Sequence, residues 1–182
     1  MKKQTKSNIG LVCFYIDKYI GGGGVLLLDK MKKAELMNNN DIWNAMVSIM
    51  SEYHFPTENK TANKVFMVYN YYSEMESGGH EGLFNWFSWY IEDVGSHQYF
   101  IELIGLLKDI NAQEYSIIEE KYGEKLWNLF KALENGKIAE EDFYSLNAKA
   151  DKEYNQLSGK LGEVLETYFV AIYRELIEVI EE

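Results

Sequence analysis

From Asp41 to the C-terminus, apolar residues return every three or four positions, the spacing of helices with one buried face. Ile42, Met46, Ile49 and Tyr53 make the first stripe, with Asp41 as its N-cap, and His54-Phe55-Pro56-Thr57 ends it. Val65, Tyr69 and Tyr72 continue the period through a second helix that reaches Glu76 and stops at Gly78-Gly79. Leu83, Phe87 and Tyr90 mark a third, its apolar face widened by Trp86 and Trp89. A fourth, capped by Ser96, carries Phe100, Leu103, Leu107 and Ile110. Asn111, with Glu114 three residues on, has the form of a capping box opening a fifth, which Gly123 closes. Leu126, Leu129 and Leu133 form a sixth, ended by Glu134-Asn135-Gly136, and Phe143, Leu146, Ala150 and Leu157 a seventh. The last stripe, Leu161, Leu165, Phe169, Ile172, Leu176 and Ile180, predicts one helix running almost to the C-terminus.

The reading is a single all-α globular domain of about seven or eight helices over residues 41–182. Residues 1–40 precede it as a segment whose structure the pattern does not assign. Within that segment Ile9 to Ile20 admits a helix, and Val25-Leu26-Leu27-Leu28 is too short to assign. The four glycines Gly21 to Gly24 invite a phosphate-loop reading, which fails because no GK[ST] follows them. One proline in the chain leaves long helices uninterrupted and argues against a sandwich or barrel.

Composition agrees with one buried core: 182 residues, 47% hydrophobic and 15% aromatic, are too apolar for a disordered acidic tail. Cys13 stands alone, which excludes an intramolecular disulfide and a cysteine zinc site and fits a reducing cytoplasm. The N-terminus starts basic and turns apolar, but Asp17, Lys18 and Tyr19 interrupt it, and no run approaches the ~20 apolar residues of a membrane span. A cytoplasmic location without membrane contact is the expectation.

Charge changes the picture more. The net charge is −11, and it is uneven: residues 1–68 hold nine Lys against six Asp/Glu, residues 69–182 nine Lys/Arg against 23 Asp/Glu. Such density repels nucleic acid and attracts cationic surfaces. Glu119, Glu120 and Glu124, then Glu140, Glu141 and Asp142, then Glu163, Glu166, Glu175 and Glu178 each lie opposite an apolar stripe and are expected to face water. Helical neighbours three or four apart sit ~5–6 Å from each other, and B-DNA presents a phosphate every ~3.4 Å per strand, so rows of carboxylates can imitate a phosphate track.

Catalytic patterns are weaker. His54, His80 and His97 form no H-x-x-x-H or H-E-x-x-H arrangement, and surface or capping roles are expected for His80 and His97. No G-x-S-x-G or Cys/His signature supports a nucleophile. Glu163-x-x-Glu166 and Glu178-x-x-Glu181 are similar to the paired carboxylates that hold Mg²⁺ in helical nucleotide hydrolases. On one continuous helix they cannot face each other, so neither metal nor catalytic residues are assigned and no cofactor is expected.

Glu74-Met75-Glu76-Ser77-Gly78-Gly79, the aromatic run through Phe84 and Phe87, Ile104-Gly105, and Glu141-Asp142-Phe143-Tyr144-Ser145-Leu146 together resemble a bacterial family of unknown function that includes an acidic DNA mimic. Its members tend to show E-V-x-N-G-G-F, Q-[FY]-F-x-N, I-G-A and F-Y-x-L elements. Here Ser77 replaces the Asn before the glycines, His80 replaces Phe, Gly82-Leu83-Phe84-Asn85 stands where Q-[FY]-F would be, and Leu106 follows Gly105. Order and spacing hold over about residues 41 to 170. The resemblance implies an all-helical fold, structural roles for Glu74, Glu76, Gly78, Gly79, Gly105, Phe143 and Tyr144, and, after the characterised member, homodimerisation and sequestration of a DNA-binding regulator. Glu76 and Glu81 are expected to cap the ends of the Gly78-Gly79 turn.

The expectation is a non-enzymatic acidic domain that binds a basic protein, a DNA-binding regulator, as a DNA mimic, without binding nucleic acid itself. Two alternatives remain: an immunity protein or antitoxin that neutralises a toxin, and a Mg²⁺-dependent nucleotide hydrolase using the E-x-x-E pairs.

Overall fold

The computed structural model describes residues 27–181; the expectations for Ile9 to Ile20 and for Gly21 to Gly24 lie outside them. Six helices dominate: α1 (Asn39–Glu52), α2 (Lys60–Val94), α3 (Ser96–Asp109), α4 (Gln113–Glu134), α5 (Glu140–Asn155) and α6 (Lys160–Ile172). Two short strands, β1 (Asp29–Lys32) and β2 (Ile177–Ile180), pair in parallel with Asp29 opposite Ile177. The fold is all-α apart from this ribbon.

Gly79 organises the domain. It is the single non-helical residue inside α2, at φ 62° and ψ −158°, a backbone region essentially closed to residues with a Cβ. A straight helix would hold Phe66 and Phe87 about 31 Å apart at ~1.5 Å per residue. Their ring centroids lie 6.2 Å apart, so α2 turns back on itself at Gly79 and its two halves form a V. The expected helix stop is therefore in place, but Gly79 alone makes the turn. Gly78 keeps ordinary backbone angles and its Cβ position faces open space.

The halves of the V enclose the largest buried side chains, among them Tyr71, Phe84, Phe87, Tyr99 and Leu103. The first half meets α1 and α6, and the second packs on α3 and α4. Trp43 of α1 stacks on Phe169 of α6 at 5.3 Å, and the Tyr115 hydroxyl of α4 accepts a 2.9 Å hydrogen bond from the Leu161 amide at the start of α6.

Several helix boundaries depart from the expectations. Asn38, not Asp41, caps α1, accepting from the Asp41 amide at 3.0 Å. Ser96 is the first helical residue of α3 behind Gly95, which has φ 87°. Asn111 sits at φ 66° in the connection before α4 and forms no capping box. Gly123 closes nothing: the predicted fifth and sixth helices are one, and Gly123 lies in its middle because a Cβ there would overlap the Phe100 ring of α3. Leu157 falls beyond the end of α5.

The last helix differs most. It ends at Ile172, passes through a 3-10 turn (Tyr173–Glu175), and continues as β2. The spacing of Leu176 and Ile180 suits a helix, but Ile177, Val179 and Ile180 are β-branched and suit a strand. The backbone groups of β1 need a partner, and β2 supplies it. Leu176 and Ile177 are both buried, and the Leu176 carbonyl accepts from the Leu28 amide at 2.7 Å.

Candidate functional site

The ten candidate carboxylates do not form one surface. Glu119, expected in water, is buried at 1% exposure and points from α4 into the V of α2. Glu120 pairs with Lys108 at 2.5 Å and Glu124 with His97 at 3.2 Å, both bridging α3 and α4. Glu163 is exposed and Glu166 half-buried on α6. Glu178 lies on β2, not on a helix, and pairs with Lys30 of β1 at 2.7 Å. Glu175 is in the 3-10 turn. Glu163-x-x-Glu166 therefore shares no helix with Glu178 and Glu181, and among the described residues no group of three or more His, Cys, Asp or Glu side chains is arranged to hold a metal ion.

Glu140, Glu141 and Asp142 are exposed in the first turn of α5, where the positive end of the helix dipole favours acids. The Asp142 carboxylate accepts from the Ala139 amide at 3.1 Å.

Another acidic grouping emerges that the sequence pattern missed. Glu76 of α2, Glu114 of α4 and Glu163 of α6 all act electrostatically on Tyr115, raising its phenol together with burial, the larger cause. Asp109, at the end of α3, and Glu175 do the same to Tyr168 of α6, again after burial. Three of these carboxylates thus surround Tyr115 and two Tyr168. None has an ion pair among the described residues. They come from three stretches of the chain, and Asp109 and Glu114 sit at helix ends, where a stripe argument has nothing to say.

Glu76, Glu81 and Asp151 tie α5 to the Gly79 turn. Glu76 accepts from the Tyr154 hydroxyl at 2.9 Å and Glu81 from the Tyr144 hydroxyl at 3.0 Å, so both glutamates are side-chain ties to α5 and not caps. The cap is Asp151, whose Oδ1 accepts from the His80 amide at 3.1 Å. Phe143 is buried, Tyr144 is exposed, Glu74 is half-buried, and Gly105 faces open space on α3.

His80, expected at the surface, is fully buried. Its Nδ1 is 2.5 Å from Asp151 Oδ1 and its Nε2 3.2 Å from Glu119 Oε1. Each ring nitrogen faces a carboxylate oxygen, the arrangement that suits a ring carrying a proton on both nitrogens. Burial opposes that charge, but the Glu119 carboxylate and the hydrogen bonds to Asp151 and Glu119 outweigh it and raise the pKa to about 9. Tyr71 donates to the same Glu119 oxygen at 2.7 Å, and Asn147 donates to Asp151 Oδ2 at 2.7 Å. The chain Tyr71–Glu119–His80–Asp151–Asn147 thus joins both halves of α2 to α4 and α5. The His80 ring has no exposed surface, and the arrangement ties the two halves of the V to α4 and α5.

Trp86 and Trp89 reverse their expected role. They do not widen the buried face of α2 but stand 64% and 50% exposed. With Tyr53, His54, Phe55 and Phe66 they line a hollow of about 420 Å³ at the open end of the V.

No helix among the described residues is long and apolar enough to cross a membrane. Comparison of the chain with protein-family models, with curated proteins and with solved structures finds no match.

Proposed function

We propose that this chain is a non-enzymatic acidic domain that binds a basic protein, and that it does so as a DNA mimic covering the nucleic-acid site of a DNA-binding partner. The observation that carries the reading is the acidic surplus of residues 69–182, nine Lys/Arg against 23 Asp/Glu, in which Glu76, Glu114 and Glu163 around Tyr115 and Asp109 and Glu175 around Tyr168 have no ion pair among the described residues. Like charges gathered this way repel one another, and a cationic partner relieves that repulsion. The resemblance of the Glu74–Gly79 and Phe143–Tyr144 elements to the family with an acidic DNA mimic supports the same reading.

The test is capture of partners from bacterial extract at low salt, followed by elution at rising salt and competition with DNA. A retained basic DNA-binding protein that releases its DNA when this chain is added is the expected result. Asp109→Asn, Glu114→Gln, Glu163→Gln and Glu175→Gln together should weaken that complex and flatten its salt dependence. A partner that holds this chain and DNA at once refutes mimicry. A captured toxin whose activity is blocked moves the function to immunity.

A further inference from the structure

None of the carboxylates around Tyr115 and Tyr168 lines the hollow at the open end of the V, and its chemistry is different. Aromatic rings make it: Phe55 stacks on Phe66 at 4.9 Å and meets Tyr90 edge-on at 4.7 Å, while Trp89 stands 6.3 Å from Phe55. Trp86 and Trp89 offer exposed rings at its rim, a large apolar area that one domain gains nothing by leaving in water. Tryptophan is also the side chain on which binding energy most often concentrates.

The surroundings select the charge of what binds. α1 ends at Glu52, immediately before the Tyr53 and His54 that line the hollow, and α2 ends at Val94, just past Trp89. The C-terminal end of a helix carries the negative end of its dipole, and neither last turn holds a basic residue. The Tyr90 phenol, whose ring abuts Phe55 and Trp89, is raised by burial first and then by Glu102 and Asp93. Aromatic faces attract cations through their quadrupole, tryptophan most strongly, and guanidinium stacks on them as a planar group.

We infer that this hollow is an anchor site for arginine side chains on an extended basic segment of a partner protein, the guanidinium stacking on Trp86 and Trp89 beside the C-terminal ends of α1 and α2. The inference rests on the reading that the partner is basic, and adds a second contact surface to it. It does not require that the partner bind DNA.

The test uses a short Arg-Gly repeat peptide and the four indole N–H signals of the ¹⁵N-labelled full chain, assigned with Trp86→Phe and Trp89→Phe. Binding should shift the Trp86 and Trp89 signals and leave those of Trp43 and Trp127 in place. Trp86→Ala with Trp89→Ala should weaken the peptide about tenfold, the scale of a cation–π contact. Both side chains are exposed, so circular dichroism of the variant should match the parent. The same peptide with glutamine for arginine should not bind.

Three results overturn the inference. One is a peptide that binds with shifts confined to the region of Glu114 and Glu163 and unchanged affinity for the tryptophan variant, in which case the basic-partner reading stands without this anchor. Another is equal binding of the glutamine peptide, which makes the hollow an uncharged apolar site. The third is absence of peptide binding to the parent protein, while the extract experiment still decides separately whether a basic partner exists.

Discussion

Replacing His80 by glutamine removes a buried positive charge while keeping hydrogen-bonding capacity, and its cost can be worked from the structure. His80 is raised from its ordinary 6.5 to about 9, burial being outweighed by Glu119 and by the hydrogen bonds of Asp151 and Glu119. Each pKa unit corresponds to about 1.4 kcal/mol, so the charged ring contributes roughly 3 kcal/mol below its unfolded pKa. Loss of one partner of a buried ion pair costs about 3–5 kcal/mol in general, the same scale. The sign follows from the direction of the shift. The folded state holds the proton more tightly, so this stability is fully present below about pH 6.5 and disappears as pH rises through about 9.

Melting temperature measured from about pH 6 to about pH 9 should therefore fall by roughly 6–12 °C in the parent protein, at ~2–4 °C per kcal/mol for a domain of this size. His80→Gln should melt lower at pH 6 and show little of this slope. The Tyr71 phenol is held well above its ordinary range by burial and then by Glu119, so it does not titrate in this window. His54 and His97 are exposed and remain in the variant, so the difference between the two proteins isolates His80. A parent melting temperature that stays flat or rises over this range refutes the imidazolium assignment, as does an equal slope in the variant.

Three further outcomes are expected, each read by urea denaturation. Gly78→Ala should be neutral or stabilise by up to ~1 kcal/mol, since its Cβ meets nothing, whereas Gly79→Ala should cost about 1–3 kcal/mol for strain alone, with the Asp151 carboxylate 2.6 Å from the added carbon. Equal effects at the two positions would refute the single-residue turn. Gly123→Ala should destabilise by about 1–3 kcal/mol despite the better helix propensity of alanine, because the Phe100 ring it would strike is buried and rigid; a more stable variant would show that α3 and α4 are not this close. Ile177→Ala should cost about 2–5 kcal/mol if β2 buries it, and less than ~0.5 kcal/mol if the chain continued as a helix with Ile177 off its apolar stripe.

The helical part of the fold was legible because its signal is periodic and local. The stripe from Phe100 to Ile110 predicts α3, and Leu83, Phe87 and Tyr90 predict the second half of α2. Three kinds of residue misled. Gly123 reads locally as a helix end, and only the Phe100 ring of another helix explains why glycine is needed in the middle. Leu176 and Ile180 fit the helical period, but a strand 148 residues earlier in the chain claims the backbone. Glu119 lies seven residues before Leu126 and so shares the face of that buried leucine, but its carboxylate reads as a solvated acid until His80 and Tyr71 of α2 supply its partners.

The candidate sites were less legible, for a reason that the buried histidine makes plain. Glu76-Ser77-Gly78-Gly79-His80 stands out as a junction, and its position in the fold is what the pattern suggested. What His80 does depends on Glu119 and Asp151, 39 and 71 residues away, and no spacing rule connects them. The resemblance places a phenylalanine where His80 stands. A phenylalanine there would leave two carboxylates facing an apolar ring, so the histidine and the two acids make physical sense only as a set. The same holds for the surfaces. Glu114 and Asp109 are ordinary helix-end acids until the fold sets Glu114 with Glu163 around Tyr115 and Asp109 with Glu175 around Tyr168, and Trp86 and Trp89 look like core until the turn at Gly79 swings Phe66 against Phe87 and leaves both indoles outside. One backbone turn thus decides which aromatics are buried and which are offered to a partner, and the charged relay that holds that turn is the part of the molecule where a single substitution should disturb both.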